Sequence, residues 1–342
     1  MRFLLLCLAA CPSGDDTAKD GDTEVGHDSG NDTGDDTGTD TDTDTGDDTA
    51  VDTGDDTGEL PPPELVAIEW TTLPATDITT RDTLALQVTA SFSDGSSTDA
   101  SAMVSYVSSD EMVLKVYEPG VGQPIWAGSV TVTATLEGHE LSATANVTLA
   151  SATTGDLVFN EVLADGTVDG DPNGDGNPDA VEDEFVEIAN ASDVTVDLSG
   201  YTLVEEDLYY LPRHTFAEGT VLRAGEAIVV FGGGDTSSLA PTNCTAVVAV
   251  NGDSALEYGL ALNNEGENMS LVDTAGTTVA GFAYGDGTDI EAIEDASYVL
   301  SPEVYGTDYT HHTYATGSTG DFSACAYVDG TAYAGHDARY SP

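Results

Sequence analysis

Apolar and polar residues alternate with a period of two along much of the chain after residue 60, a pattern typical of half-buried β-strands. The stretch Leu84–Phe92 (LALQVTASF) has an apolar residue at every second position and is followed by a predicted turn at Asp94-Gly95. Two further alternating stretches flank the predicted turn Glu137-Gly138. Several short strands with such turns in about 85 residues predict a β-sandwich over residues 64–150.

A second group of strand-like segments begins near residue 155. Ala227–Phe231 (AIVVF) is apolar throughout, which predicts a central strand covered on both faces. The other predicted strands are Leu157–Val162, Phe185–Ile188, Val194–Leu203 with a bend at Ser199-Gly200, Val247–Val250, Gly259–Leu262, Met269–Val272 and Val279–Tyr284. No useful amphipathic stretch with a 3.6-residue period is present, so we expect a second β-sandwich over residues 155–334, followed by a C-terminal tail over 335–342.

The N-terminus has the pattern of an export signal. A positive charge at Arg2 precedes the apolar run Phe3–Ala10, which is too short to span about 30 Å of hydrocarbon. The sequence Leu8-Ala9-Ala10-Cys11 resembles the lipobox of bacterial lipoproteins. This resemblance implies a signal peptide over residues 1–11 and a lipid on Cys11; the alternative is an ordinary secretory signal in which Cys11 is incidental. We therefore expect the bacterial cell envelope, at the outer membrane or cell surface, as the location.

Residues 12–59, which form most of the predicted linker over 12–63, consist mainly of Asp, Thr and Gly, and the stretch TGDDT recurs at Thr33, Thr45 and Thr53. Without apolar periodicity this segment cannot form a core, so we predict a disordered acidic linker that tethers the rest of the chain. Weak calcium adsorption and glycosylation of the threonines are alternative roles.

The charge of the chain is strongly negative. It contains 63 acidic residues and 7 Lys and Arg residues, a net charge of −56. From residue 60 onward, 45 acidic residues and 5 basic residues leave a net charge of −40. This excess argues against nucleic acid as a partner and against anionic lipid surfaces, because both need Lys and Arg to replace counterions. Contact with a membrane is expected only through the lipid anchor.

Residues 64–150 contain three stretches that resemble bacterial immunoglobulin-like domains of surface proteins: LALQVTASFSDGSSTD, VSYVSSDEMVLKV and AGSVTVTATLEG. In that family such modules act as spacers or adhesive units and carry no catalytic residues. The resemblance implies the same role here.

Residues 155–334 resemble bacterial lamin-tail domains. The resemblance is strongest in NEVLADGTVDGDPNGDGNPDAVEDEFVEIANASDVTVDLSGYTL and continues in FAEGTVLRAGEAIVVFGGGD and LNNEGENMSLVDTAGTTVAGFAYGD. It implies an immunoglobulin-like fold and a protein-binding role. At Ala324-Cys325 the family more often has Pro-Gly. The fold class that we predict is therefore all-β, with two immunoglobulin-like β-sandwich domains behind a disordered acidic linker.

The loop from Asp171 to Glu182 (DPNGDGNPDAVE) follows the spacing of an EF-hand calcium loop, with Gly176 at the sharp turn. Calcium prefers six to eight hard oxygen ligands, so we predict one structural Ca²⁺. Its predicted ligands are Asp171, Asn173, Asp175, Asn177, Asp179 and Glu182, and Asp165, Asp169 and Asp183 add negative charge. No flanking helix is predicted, so the loop is not a sensor. The alternative is a solvated acidic loop.

Cys244 and Cys325 are the only cysteines beyond Cys11. In an exported chain an even pair predicts a disulfide, with two buried thiols as the alternative. No local motif marks a catalytic residue. We therefore expect a non-enzymatic, lipid-anchored cell-surface protein whose partner is another protein or a surface polysaccharide. The alternative is an accessory subunit of an extracellular hydrolase or an unrecognised secreted enzyme.

Overall fold

The computed structural model describes residues 61–72, 74–117, 120–164, 170–206, 211–251, 254–255, 259–292 and 296–335. The predicted signal peptide, Cys11 and nearly all of the predicted linker lie outside these residues. Regular structure in this part of the chain is almost entirely β-strand, with short 3-10 helices at Thr236–Ser238 and His312–Tyr314. The all-β prediction is confirmed.

The strands are numbered in chain order. In the N-terminal part they are β1 (Leu65–Trp70), β2 (Asp77–Thr79), β3 (Leu84–Ala85), β4 (Val88–Phe92), β5 (Ser97–Asp99), β6 (Ser105–Ser108), β7 (Leu114–Tyr117), β8 (Val121–Pro124), β9 (Gly128–Leu136) and β10 (His139–Thr148). The C-terminal part contains β11 (Ala150–Ser151), β12 (Leu157–Leu163), β13 (Phe185–Asn190), β14 (Val196–Asp197), β15 (Thr202–Glu205), β16 (Leu211–Thr215), β17 (Val221–Leu222), β18 (Ala227–Phe231), β19 (Cys244–Val248), β20 (Val250–Asn251), β21 (Ser254–Ala255), β22 (Gly266–Val272), β23 (Thr278–Gly285), β24 (Tyr298–Ser301) and β25 (Asp308–His311).

The first sandwich is built from sheets with the strand orders β1-β4-β5, β2-β10-β9-β6 and β3-β8-β7. Its longest pairing is the β9–β10 hairpin, whose turn residues Glu137 and Gly138 both have positive φ, at 50° and 86°. This backbone matches the twist of the flanking strands, as the predicted turn requires. The buried apolar residues of this sandwich form two groups. Trp70 and Tyr106 pack against both groups and so join them into one core.

The second sandwich places a six-stranded sheet, β19-β18-β13-β12-β24-β25, against a four-stranded sheet, β16-β15-β22-β23. Their facing sides share one large apolar core that includes Phe159, Ile188, Leu203 and Phe282. Every residue of β18 is buried, and β18 lies between β13 and β19. The prediction that Ala227–Phe231 is a central strand is therefore correct.

Two strand predictions need correction. Gly259–Leu262 is not a strand: a turn occupies Gly259-Leu260, and Gly259 has φ +53° with its backbone close to Gly232, where an added Cβ would lie 2.5 Å from a carbonyl oxygen. Val194–Leu203 forms the separate strands β14 and β15, because Ser199-Gly200 makes a turn with φ +74° at Gly200.

The outer face of the six-stranded sheet is covered by residues 321–335, which we call the C-terminal cover. Alternation along β12 and β13 places Val162 and Ile188 in the core between the sheets, and Leu163 and Phe185 on the outer face. Cys325 and Tyr333 of the cover pack on this outer face. The central strands β12, β13 and β18 are therefore covered on both sides.

The two sandwiches meet where β10 leads into β11. Thr80 is fully buried at this junction, where its hydroxyl donates to the carbonyl oxygen of Thr195 at 2.6 Å and accepts from the N–H of Ala150 at 2.9 Å. Arg223 of the second sandwich lies over the ring of Trp126 of the first, at 4.7 Å from the ring centroid. Backbone and side chains thus connect the two sandwiches directly.

Candidate calcium loop and the buried glutamate cluster

The predicted calcium loop lies between β12 and β13 and is organised by its own side chains. The carboxylate of Asp171 accepts from the N–H groups of Asp175 at 3.1 Å and Gly176 at 2.6 Å. The side-chain oxygen of Asn173 accepts from the same Asp175 N–H at 3.0 Å. Asp175 in turn accepts from the N–H of Asn177 at 2.8 Å. The structure therefore brings the first three predicted ligands together around one turn.

The second half of the loop is held by a separate turn. One oxygen of Asp179 accepts from the N–H groups of Val181 and Glu182, at 2.9 and 3.1 Å. Asp183 is buried, and its carboxylate accepts from the N–H groups of Asn173 at 3.4 Å and Asp179 at 2.7 Å. Asp183 thereby connects the two halves, a role that the spacing of the motif does not indicate.

The glycine-rich loop after β18 packs against the acidic loop. An added Cβ at Gly233 would lie 2.8 Å from the side chain of Glu182, and one at Gly234 would overlap the Asn173 side chain. The hydroxyl of Ser238 donates to the carbonyl oxygen of Gly174 at 2.6 Å. Gly232 to Gly234 therefore allow the two loops to approach closely, and this packing explains the glycine run.

Negative charge is crowded in the loop. Burial and the charges of Asp179 and Asp175 raise the pKa of Glu182. Burial also raises the pKa of Asp183, with a further contribution from the charge of Asp171. In contrast, N–H groups lower the pKa of Asp179. A divalent cation bound among these oxygens would relieve the repulsion.

The donor set suits calcium in chemistry, because it consists of carboxylate and amide oxygens. The carboxylates are not gathered as tightly as a bound ion requires: within the described ranges, no three loop acids have oxygens that all lie within 4.8 Å of one another. Asp165 and Asp169 lie outside those ranges. Calcium binding by this loop stays a prediction.

Cys244 and Cys325 form the predicted disulfide, with their Cα atoms 5.5 Å apart. The bond links the start of the edge strand β19 to the C-terminal cover. A carboxylate oxygen of Glu187 lies within 4.8 Å of both sulfur atoms. Because the two sulfurs are bonded to each other, they are not thiolate ligands for a metal ion.

A cluster of buried and half-buried glutamates lies beneath the C-terminal cover, and two of its members belong to predicted strands. Glu161 of β12 and Glu187 of β13 lie directly opposite each other in the strand register, and both are fully buried. Glu161 accepts from the hydroxyls of Ser297 at 2.6 Å and Ser323 at 2.7 Å, and from the N–H of Ser323 at 2.8 Å.

Glu187 and Glu303 complete this cluster. Glu187 accepts from the N–H of Cys325 at 2.6 Å, from the amide of Asn160 at 3.0 Å and from the hydroxyl of Tyr333. Glu303 accepts from the N–H of Val328 with both oxygens, at 3.2 and 3.1 Å. We call Glu161, Glu187 and Glu303 the glutamate cluster.

Burial dominates the electrostatics of the glutamate cluster. It raises the pKa of Glu161 to about 7 and that of Glu303 to about 7. Burial, together with the adjacent charge of Glu161, raises the pKa of Glu187 to about 8. Hydrogen bonds to the carboxylates oppose these shifts but do not cancel them. The cluster therefore holds protons near neutral pH.

The sequence contains one signal of this cluster. Asn160-Glu161 interrupts the otherwise apolar strand β12, and the register with β13 shifts between Phe159 and Glu161. Two consecutive buried polar residues at such an irregularity indicate a specific hydrogen-bonded site on a sheet face.

Comparison with known proteins finds a family match within the second sandwich. Residues 150–286 match the Lamin Tail Domain family, which confirms the resemblance over this range. No curated protein matches the chain.

Solved structures that match the chain include bacterial surface proteins at low identity. The surface layer protein SbsC, domains 4–9, is 13% identical with a TM-score of 0.23; the match covers 65% of this chain and 31% of that one. SbsC domains 5–6 are 14% identical over 66% of this chain and 100% of that one, with a TM-score of 0.22. A DUF4876 family protein from Bacteroides thetaiotaomicron VPI-5482 is 14% identical over 61% of this chain and 67% of that one, with a TM-score of 0.24. This chain thus spans about a third of the SbsC domain 4–9 structure.

Surface depressions of about 330, 370 and 330 Å³ lie away from the glutamate cluster. The first is lined by Glu267, Asn268 and Tyr284, among others. None of Glu161, Glu187 and Glu303 lines any of these depressions. Among the residues that the structure describes, no helix is long and apolar enough to cross a membrane.

Proposed function

We propose that the protein is a non-enzymatic, lipid-anchored surface protein that presents two immunoglobulin-like β-sandwiches at the end of an acidic tether. The observation that carries the non-enzymatic part is the placement of the glutamate cluster. Enzymes place carboxyls with shifted pKa values where substrate reaches them. Here Glu161 and Glu187 are fully buried and accept hydrogen bonds from the chain's own C-terminal cover.

The lamin-tail domain is the binding or structural module of this protein, and its partner is a protein or a surface polysaccharide. The first sandwich acts as a spacer between the tether and this module. Direct contacts at the Thr80 junction support a spacer that holds the module in a fixed position. Repulsion among the acids of residues 12–63 extends the tether away from the membrane.

We also propose that the loop from Asp171 to Glu182 binds one structural Ca²⁺. Two observations support this role: the six oxygen-bearing side chains follow the required spacing, and burial together with neighbouring carboxylates raises the pKa values of Glu182 and Asp183. The ion would fix the loop against the glycines after β18.

Anchoring is tested with Cys11→Ala in the full chain. We expect the variant to be released from the membrane fraction and to lose fatty-acid labelling. The matched control is Cys7→Ala, which changes the other cysteine of the same N-terminal segment and should stay lipidated. If Cys11→Ala still labels with fatty acid and sediments with the envelope, the lipid-anchor proposal is wrong.

A further inference from the structure

The C-terminal cover is attached to the sheet by an unusual set of contacts. Three of its backbone N–H groups donate to glutamate side chains rather than to a neighbouring strand. They belong to Ser323, Cys325 and Val328, and each bonds to a different buried or half-buried glutamate. The acceptors are Glu161 of β12, Glu187 of β13 and Glu303, which follows β24. The six-stranded sheet thus holds this segment through side-chain carboxyls.

The glutamate cluster has three carboxyl groups, and none of them takes part in an ion pair among the described residues. The ion pairs in the described part of the chain are Arg81–Asp156 and Arg213–Glu205, and neither reaches the cluster. The titratable groups of the cover that act on it are Tyr333, which donates to Glu187, and Asp329, whose charge raises the pKa of Glu303. Cys244 on β19 and Cys325 do not titrate, because they form the disulfide.

We propose that the glutamate cluster is a proton-dependent clasp, which holds the C-terminal cover on the sheet while it retains protons and releases residues 326–335 when alkaline medium removes them. Glu161 and Glu187 face each other across one strand pair, so two full charges there repel in a region that excludes water. Opening of the cover admits water, which stabilises both charges.

The cover is the part that moves, because the two facing glutamates are fixed by the sheet. Glu161 and Glu187 belong to strands in the middle of the six-stranded sheet. Apart from the bonds to the glutamates, few backbone groups of residues 326–335 bond to the rest of the domain. The carbonyl oxygen of Val328 accepts from the N–H of Thr319 at 3.0 Å and from its hydroxyl at 3.3 Å. The carbonyl oxygen of Tyr333 accepts from the Asn243 amide at 2.7 Å, and the N–H of Gly335 donates to Gly225 at 3.2 Å.

The disulfide retains Cys325, so release begins after this residue. Release breaks the bonds of Val328 to Glu303 and of Tyr333 to Glu187, whereas those of Ser323 and Cys325 stay in place. It uncovers the small apolar patch beneath Tyr333, formed by Ala189, Ala227 and Val304.

The test is hydrogen–deuterium exchange of the oxidised full chain at pH 6 and pH 9, with each rate corrected for the intrinsic pH dependence of amide exchange. We expect the corrected exchange of residues 326–335 to be at least about tenfold faster at pH 9, while peptides of β13 and β18 stay protected.

Glu161→Gln is the informative variant. Its hydroxyl partners, Ser297 and Ser323, can turn to accept from an amide, so the substitution keeps the site hydrogen-bonded and makes one member of the pair permanently neutral. The tenfold difference between the two pH values should largely disappear. Glu303→Gln, at the half-buried edge of the cluster, gives a second test if Glu161→Gln does not fold. The matched control is Glu218→Gln, which removes an exposed carboxyl of the same sandwich and should behave as wild type.

Three results would overturn the clasp. They are equal corrected exchange at both pH values in the wild type, a pH effect that persists undiminished in Glu161→Gln or Glu303→Gln, and a rise in exchange at pH 9 in every peptide alike. The last result would indicate global unfolding. None of these outcomes bears on lipid anchoring, which is tested separately.

Discussion

Arg81 of the first sandwich binds Asp156 of the second with both terminal nitrogens, Nη1 to Oδ1 at 3.3 Å and Nη2 to Oδ2 at 2.7 Å. Nη2 also donates to the carbonyl oxygen of Ser151 at 2.9 Å. Burial opposes ionisation of Asp156, but hydrogen bonds from Arg81 and Thr153 outweigh it and lower its pKa. In a chain with only 7 Lys and Arg residues, one of them is thus committed to the junction between the sandwiches.

Arg81→Ala should loosen this junction. Asp156 would keep its hydrogen bonds from Thr153 but lose its charged partner while it stays mostly buried. We expect the free energy of unfolding to fall by about 1 kcal/mol, since Arg81 is partly exposed and its charge is screened. Chemical denaturation measures the loss, and small-angle X-ray scattering measures the spread of angles between the sandwiches.

The matched control for Arg81→Ala is Lys115→Ala, which removes the same charge from a lysine that lies over Tyr117 at 5.5 Å from the ring centroid. An unchanged scattering curve for Arg81→Ala would contradict a structural role for the ion pair.

The free energy of unfolding should decrease as the pH rises from mild acid to alkaline medium. The pKa values of Glu161 and Glu187 are raised from 4.5 to about 7 and about 8, so the folded state binds more protons than the unfolded state over this interval. Their contribution is fully present below pH 4.5 and is lost as the pH rises through 7 to 8. Melting temperatures at fixed ionic strength measure the slope, which should be smaller in Glu161→Gln. A melting temperature that rises between pH 5 and 8 would contradict this assignment.

Removal of the disulfide should destabilise the second sandwich. Cys244 and Cys325 are 81 residues apart in sequence, and the loop-entropy model gives about 4 to 5 kcal/mol as an upper limit for such a loop. We expect about 2 to 4 kcal/mol from the double variant Cys244→Ser/Cys325→Ser. Unfolding of the oxidised wild type, the reduced wild type and the double variant gives the comparison. If all three unfold at the same denaturant concentration, the bond makes no contribution.

Calcium should stabilise the second sandwich through the loop from Asp171 to Glu182. Binding to the folded state alone adds about 2.7 kcal/mol at a calcium concentration 100-fold above Kd. The melting temperature should therefore be higher in millimolar calcium than in chelator. Asp175→Asn keeps the side-chain shape but removes a ligand charge, and should abolish most of the difference.

Two controls separate a specific calcium site from general screening of an acidic protein. Magnesium at matched ionic strength should stabilise less than calcium, because it prefers a smaller octahedral site. Asp289→Asn, at an exposed position outside the loop, should retain the full calcium effect. Equal stabilisation by both ions in the wild type would rule out the specific site.

The sequence predicts the strands well where side-chain alternation is regular. The β9–β10 hairpin and β18 lie at their predicted positions, because alternation, turn residues and an unbroken apolar run are local properties. Gly259–Leu262 is equally apolar but forms a turn, since its backbone packs against Gly232, which is distant in sequence. The spacing of the acidic loop is also visible in the sequence, whereas the buried link through Asp183 is not.

The glutamate cluster was not predictable from alternation. Glu161 and Glu187 occupy positions that a two-layer sandwich turns toward solvent, and the pattern alone assigns them to an exposed face. They are buried because a C-terminal segment more than 130 residues later in the chain folds over that face. The sequence indicates two parts of this arrangement: the polar pair Asn160-Glu161 that interrupts an apolar strand, and the Cys244–Cys325 bond expected in an exported chain.

The Cys244–Cys325 disulfide also changes the outcome of proteolytic cleavage. Cys244 and Cys325 close a covalent ring that contains β19 to β25. A single cut in any connection within the ring leaves both pieces joined through the sulfur atoms. The strands β22 and β24, which pair with β15 and β12 outside the ring, then stay attached to the domain. A nick that would detach the end of an uncrosslinked chain instead leaves the second sandwich in one covalent piece.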